Sequence, residues 1–134
     1  MNKFIDKILK EAVSETEQSF TMYSGVSLDQ WEKIWKEKKL TDRLTNVTSD
    51  ISFAADYSYD FQLGKYDDVV LEISNIPIEA FVGYRKNNYK GDTDFKNISQ
   101  LSYHNKIIII NKYSLFLVDL FKFKNQISVK LIKV

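Results

Sequence analysis

Residues 107–132 read IIIINKYSLFLVDLFKFKNQISVKLI, three apolar runs parted by short polar turns. Ile107 to Ile110, Leu115 to Phe121 and Gln126 to Ile132 are rich in β-branched and aromatic residues, a composition suited to a half-buried pleated surface. Read as strands, they close the chain with a meander or a pair of hairpins. The first residues read differently. From Asn2 to Gln18, the residues Phe4, Ile5, Ile8, Leu9, Ala12 and Val13 recur at helical spacing, with Lys3, Lys7, Lys10 and Glu11 elsewhere on the wheel. The charge is mixed rather than basic, so the expectation is a helix packed on a core and not one lying on a membrane. Helices first and strands later give an α+β domain with N-terminal helices and a mostly antiparallel sheet.

Between these ends the punctuation is local. Phe20 and Met22 alternate as a strand that stops at Gly25. Ser27 followed by Gln30 is a capping box, and Leu28, Trp31, Ile34, Trp35 and Leu40 make the apolar side of the next helix, with both Trp expected in the core. A strand from Leu44 to Thr48 leads, through Ser49 or Asp50 as cap, to a helix from Ile51 to Phe61 that Gly64 ends. Val69 to Ile73 is strongly β-forming, Pro77 marks the turn after it, and Ala80 to Tyr84 adds further strand. Arg85 to Asn97 is the longest polar stretch and reads as a surface loop.

A length of 134 residues with 44% hydrophobic and 28% charged side chains suits one domain, with residues 1–19 as a helix on a core of 20–134. Nineteen basic against eighteen acidic residues leave a net charge of +1, so no global field draws the protein to nucleic acid or an anionic membrane. Cysteine is absent and His104 is the lone histidine, which excludes disulfides and thiolate metal sites. No metal is expected. Charges interrupt the first apolar stretch and no run reaches the roughly 18 apolar residues of a membrane span, so the expectation is a soluble cytoplasmic protein. No Walker loop, dinucleotide glycine fingerprint or nucleophile elbow occurs.

Three short stretches carry a further signal. Tyr23, Ser24 and Gly25 end one expected strand, Asn46, Val47 and Thr48 end another, and His104, Asn105 and Lys106 precede the isoleucine run. Their order and spacing resemble the signature segments of ADP-ribosyltransferases of the arginine-serine-glutamate class, phage-encoded members included. Those segments read aromatic-Arg-Gly, Ser-x-Ser and Glu-x-Glu. The resemblance covers roughly Met22 to Phe121, with Thr48, Asp50, Ala54 and Tyr57 similar to the second block. It implies an ADP-ribosyltransferase-like fold in which the family Arg has become Ser24, the first Ser Asn46, and the two Glu His104 and Lys106. Cleavage of the nicotinamide-ribose bond of NAD develops positive charge on the sugar, which a carboxylate must stabilise. A cation in its place costs on the order of 4 kcal/mol at ~4 Å and an effective dielectric of about 20. The degenerate positions Ser24, Asn46, Thr48, His104 and Lys106 thus imply no catalysis.

The leading expectation is a catalytically inactive protein that binds another macromolecule and needs no cofactor. Small proteins of this composition are common in phages and mobile elements, where one use is to block a host enzyme or defence complex. Tyr84, Arg85 and Tyr89 of the polar loop are candidate partner contacts, because Tyr and Arg are favoured at interfaces. Two alternatives keep NAD: an active transferase with a shifted carboxylate such as Asp94 or Asp119, or a nucleotide sensor in which Tyr23, Gly25, Thr48 and Tyr57 hold the ligand. Nucleic-acid binding through Arg85, Lys86, Lys90 and Lys96 ranks below these, since Asp92 and Asp94 offset the charge. Plainer readings stand beside each residue: a turn for Ser24 and Gly25, a surface site for His104 and Lys106, packing for Tyr57 and Tyr59, and a solvated loop for the two Asp.

Overall fold

The computed structural model describes residues 18–37, 45–86, 95–112 and 114–134. Residues 1–17 of the expected N-terminal helix lie outside the described residues, as do Leu40, Leu44, Tyr89, Lys90, Asp92 and Asp94, while Ser19, expected to end that helix, already belongs to a strand.

Strand β1 (Ser19–Gly25) buries Phe20 and Met22 and ends where the sequence places its end. Helix α1 (Leu28–Glu37) is started by the capping box: Ser27 N donates to Gln30 Oε1 at 3.0 Å and Gln30 N to Ser27 Oγ at 3.2 Å. Its two tryptophans part company. Trp31 and Ile34 pack against the core while Leu28 and Trp35 are exposed, so the apolar stripe straddles the core boundary instead of lying within it.

Strand β2 (Thr45–Thr48) is followed by α2 (Ile51–Ala55), capped by Asp50 Oδ1 accepting from Phe53 N at 3.1 Å. This helix is shorter than the sequence suggests. Phe53, Tyr57 and Phe61 fall at helical spacing, yet after Ala55 the chain turns into a hairpin of β3 (Tyr59–Asp60) and β4 (Lys65–Tyr66). Asp60 Oδ1 takes the amides of Gln62 and Leu63 at 2.9 and 3.1 Å, and Gly64 adopts a φ of 64°. These are turn bonds that compete with helix, so Gly64 closes a hairpin and ends no helix.

Strand β5 (Val69–Pro77), a 3-10 turn (Ile78–Ala80) and β6 (Phe81–Lys86) come next. The polar stretch begins within β6, and β7 (Lys96–Asn97) closes it. The isoleucine run overturns its expected strand: α3 (Tyr103–Asn111) is a helix, with Ser102 Oγ accepting from Asn105 N at 3.3 Å. Tyr103, Ile107 and Ile110 recur at helical spacing and face the core, and this periodicity outweighs the β preference of four isoleucines. Strands β8 (Ser114–Val118) and β9 (Ser128–Lys133) complete the chain, joined through a 3-10 turn (Phe121–Phe123).

The described strands other than the hairpin form one seven-stranded sheet in the order β7-β6-β8-β2-β1-β5-β9, and every pairing is antiparallel. The fold is mixed α and β with an antiparallel sheet. The expected closing meander is absent, because β8 inserts between β6 and β2 whereas β9 pairs with β5 at the far edge. Between Phe20 and Met22 of β1, strand β5 carries an extra residue, and Asn75 supplies the left-handed conformation there with φ 61°. The core gathers Met22, Val47, Ile73, Phe116 and Val118 on one face of the sheet, with Ile110 packed against them from α3.

Candidate functional site

Strands β1 and β2 share a single register pair, Tyr23 with Thr48. Beyond it, Ser24 and Gly25 continue β1 while Val47 and Asn46 belong to a strand paired only on its other side, with β8. A cavity of about 260 Å³ lies where the two strand ends part, lined by Tyr23, Ser24, Gly25, Asn46, Val47 and Thr48. The first two stretches singled out in the sequence therefore form one site.

Register explains what else enters it. Directly opposed residues of antiparallel strands project to the same face, so Glu72, Tyr23, Thr48, Leu115 and Arg85 form one row across β5, β1, β2, β8 and β6. All but Glu72 line the cavity. Phe53, Ala54 and Tyr57 complete its wall from α2 and the turn after it. Gly25 is required by this arrangement. A Cβ there would collide with the Ala54 carbonyl oxygen and stand 2.8 Å from Tyr57 Cβ, so only glycine lets β1 run beneath the helix end.

The polar groups of the cavity have distinct tasks. Thr48 is buried, and its Oγ1 accepts from Asp50 N at 3.2 Å, which commits it to the turn into α2. Arg85 Nη2 donates to Asn46 Oδ1 at 3.0 Å, which leaves the remaining guanidinium N–H groups and the Asn46 amide N–H groups to other acceptors. Among the described residues that line the cavity, Arg85 is the one formal charge and none is a carboxylate or an imidazole.

The third stretch does not join it. His104 and Lys106 stand on the first half of α3, and neither lines the cavity. Asp119 follows β8 at the end remote from Leu115, where it pairs with Lys122 at 3.9 Å. Of the candidate partner contacts, Tyr84 packs on the core, Arg85 enters the cavity, and Tyr89 lies outside the described residues. Among the described residues no group of three His, Asp or Glu is placed to hold a metal ion, and no helix is long and apolar enough to cross a membrane.

A second surface was missed in the sequence. The hairpin exposes Phe61 at 89%, Leu63 at 67% and Tyr66 at 57%, beside an equally exposed Tyr57. Tyr59 stands edge-on to Phe61 and Tyr66, with ring centroids 4.9 and 5.0 Å apart. The base is fixed: buried Ser58 Oγ donates to Val26 O at 2.7 Å and accepts from Val69 N at 3.2 Å, and Asp67 N donates to Ser58 O at 2.9 Å. Asp60 four residues before Gly64, with aromatic residues on both sides, was the available signal. No family model, curated protein or solved structure matches the chain.

Proposed function

We propose that the protein is a non-catalytic binding module with an ADP-ribosyltransferase-like framework, and that it engages a protein partner through its aromatic hairpin. The observation that carries this reading is the lining of the cavity. Two of the stretches that resemble the family's signature meet there, around a guanidinium and, among the described residues, no carboxylate. A site of that charge opposes the sugar cation that NAD cleavage must form. Lys106 stands on α3 and does not line the cavity, so the unfavourable charge there is that of Arg85 on β6. NAD itself fits poorly: the cavity falls just below the roughly 300–1,000 Å³ of sites that enclose drug-sized ligands, and a dinucleotide is larger than those.

The hairpin supplies what binding needs. Exposed aromatic side chains on a hydrogen-bonded base are already ordered, so association loses little conformational freedom. Asp56, Asp67 and Asp68 flank them against Lys65, while Asp60 is buried and held by its turn amides, which suits a partner with an apolar recess rimmed by basic residues. Inhibition of a host enzyme or defence complex is a use consistent with such a surface. The test is affinity capture from host lysate with the native chain and with a Phe61→Ala/Leu63→Ala variant of equal thermal stability. One stoichiometric protein captured by the first and lost by the second supports the reading. Capture indifferent to the variant, or none, opposes it.

Glu72 favours a second reading. Its register beside Tyr23 sets a carboxylate one strand from the cavity on the same face, so an active transferase would use Glu72 and not Asp119. Nicotinamide release that disappears in Glu72→Gln distinguishes this case.

A further inference from the structure

We infer that the outer edge of β9 receives an extended acidic segment of a partner protein as an added antiparallel strand, with Lys130 and Lys133 as its charge partners. The inference stands apart from binding by the aromatic hairpin, because β9 ends the seven-stranded sheet and the hairpin strands do not belong to that sheet. Among the described residues, β9 is paired on one side alone, with β5. The opposite end of the sheet offers little, since β7 is 2 residues long.

Register settles which groups of the edge point outward. Val134 N donates to Asp68 O at 2.8 Å, and Lys133 stands opposite Val69 one step further in. In an antiparallel ladder, successive residues alternate between exchanging both bonds with the neighbouring strand and turning away from it, so Ile132, Lys130 and Ser128 face β5. Val129, Leu131 and Lys133 then direct their N–H and C=O groups away from it. The pairing runs from Ser128 to Lys133 with no register shift, and no proline interrupts the strand, so neither device closes the edge. A strand laid along it gains main-chain bonds over its whole length.

Side chains decide what that strand must carry. Val129 and Leu131 pack against the core, so by alternation Lys133 shares their face while Lys130 and Ile132 occupy the other. From Leu120 to Val134 the chain has lysines and no acidic residue; Lys122 pairs with Asp119 and Lys124 stands over the Phe121 ring. Lys130 and Lys133 remain, both exposed, opposite Glu72 and Val69 on β5. Two copies of β9 side by side would gather these lysines from both chains, so the edge disfavours a second copy and selects a strand that bears carboxylates. Directly opposed residues of an antiparallel pair project to the same face. A segment running opposite Lys133, Ile132, Leu131, Lys130 and Val129 in turn therefore reads acidic, apolar, apolar, acidic, apolar.

Amide chemical-shift titration and hydrogen exchange of the full chain test it, with the capped peptide Ser-Glu-Val-Val-Glu-Val-Ser as probe and Ser-Lys-Val-Val-Lys-Val-Ser as comparison. The acidic peptide is expected to bind with a dissociation constant of about 0.1–1 mM and to protect the amides of Val129, Leu131 and Lys133, which exchange freely without it. Lys130→Glu/Lys133→Glu should weaken the acidic peptide at least about fivefold and favour the basic one by a similar factor. Lys133→Pro should weaken the acidic peptide more than Lys133→Gln does, because it removes an outward N–H and leaves the bonds to β5 in place. The Phe61→Ala/Leu63→Ala variant should bind the peptide as the native chain does, which separates this proposal from the hairpin reading. No shifts at millimolar acidic peptide, equal affinity of the native chain for the basic peptide, or a folded charge-reversed variant with unchanged preference would each overturn the proposal. So would protection of Val129, Leu131 and Lys133 in the peptide-free chain, since the edge would then already be filled by this chain or by a second copy.

Discussion

Gly25 fixes the position of α2 over β1 by having no side chain. Gly25→Ala forces a methyl group against the Ala54 carbonyl, and the strain should cost about 1–3 kcal/mol, read as a lower urea midpoint at constant slope. An unchanged midpoint would mean that the helix end does not sit on the strand. Ser58 is the second such residue. It is buried with its hydroxyl bridging Val26 and Val69, so Ser58→Ala leaves a carbonyl and an amide unpaired at a cost of about 1–3 kcal/mol. Thermal denaturation of Ser58→Ala within a degree of the native chain would contradict that bridge. What was legible at this scale was local. The Ser27 and Gln30 reciprocal bonds were readable because both partners lie within one helical turn, whereas the reason for Gly25 lies 29 positions away, at Ala54. Arg85 was visible as a charged residue of a polar stretch, but only its pairing with Leu115 turns it toward the cavity.

Elements were legible where a cap or a breaker was unambiguous. β1, α1 and β5 follow the reading of the sequence, and α3 does not. Four isoleucines have high β preference, yet Ser102 caps a helix and Tyr103, Ile107 and Ile110 line its buried side. Ser102→Ala should therefore lower stability by about 1 kcal/mol through loss of the N-cap, where a strand would register little change. Urea denaturation of this variant checks it. In the hairpin the opposite holds, since Tyr57 and Phe61 continue a helical period in sequence but solvent, not core, receives them. Phe61→Ala should change stability by less than about 0.5 kcal/mol because little of that ring is buried, while weakening partner capture. A marked loss of stability would show that the ring serves folding and not recognition.

The whole sheet is the level least accessible to a single sequence. Nothing in β8 announces that it will insert between β6 and β2, and the cavity exists only because that insertion gives β2 a partner on one side while it leaves β1 after Tyr23 and Thr48. The sequence does bring Tyr23, Ser24 and Gly25 into one proposal with Asn46, Val47 and Thr48, and these residues share a site. It also assigns His104 and Lys106 to that site, and the helical α3 leaves them off its wall. Arg85 is the one charge among the described residues that line the cavity, and the proposed lack of turnover rests on it. Incubation of the purified chain with NAD, with free nicotinamide followed by chromatography, addresses this most directly. Release at the rate of the protein-free control is expected. Release above that rate, abolished by Glu72→Gln, would contradict it.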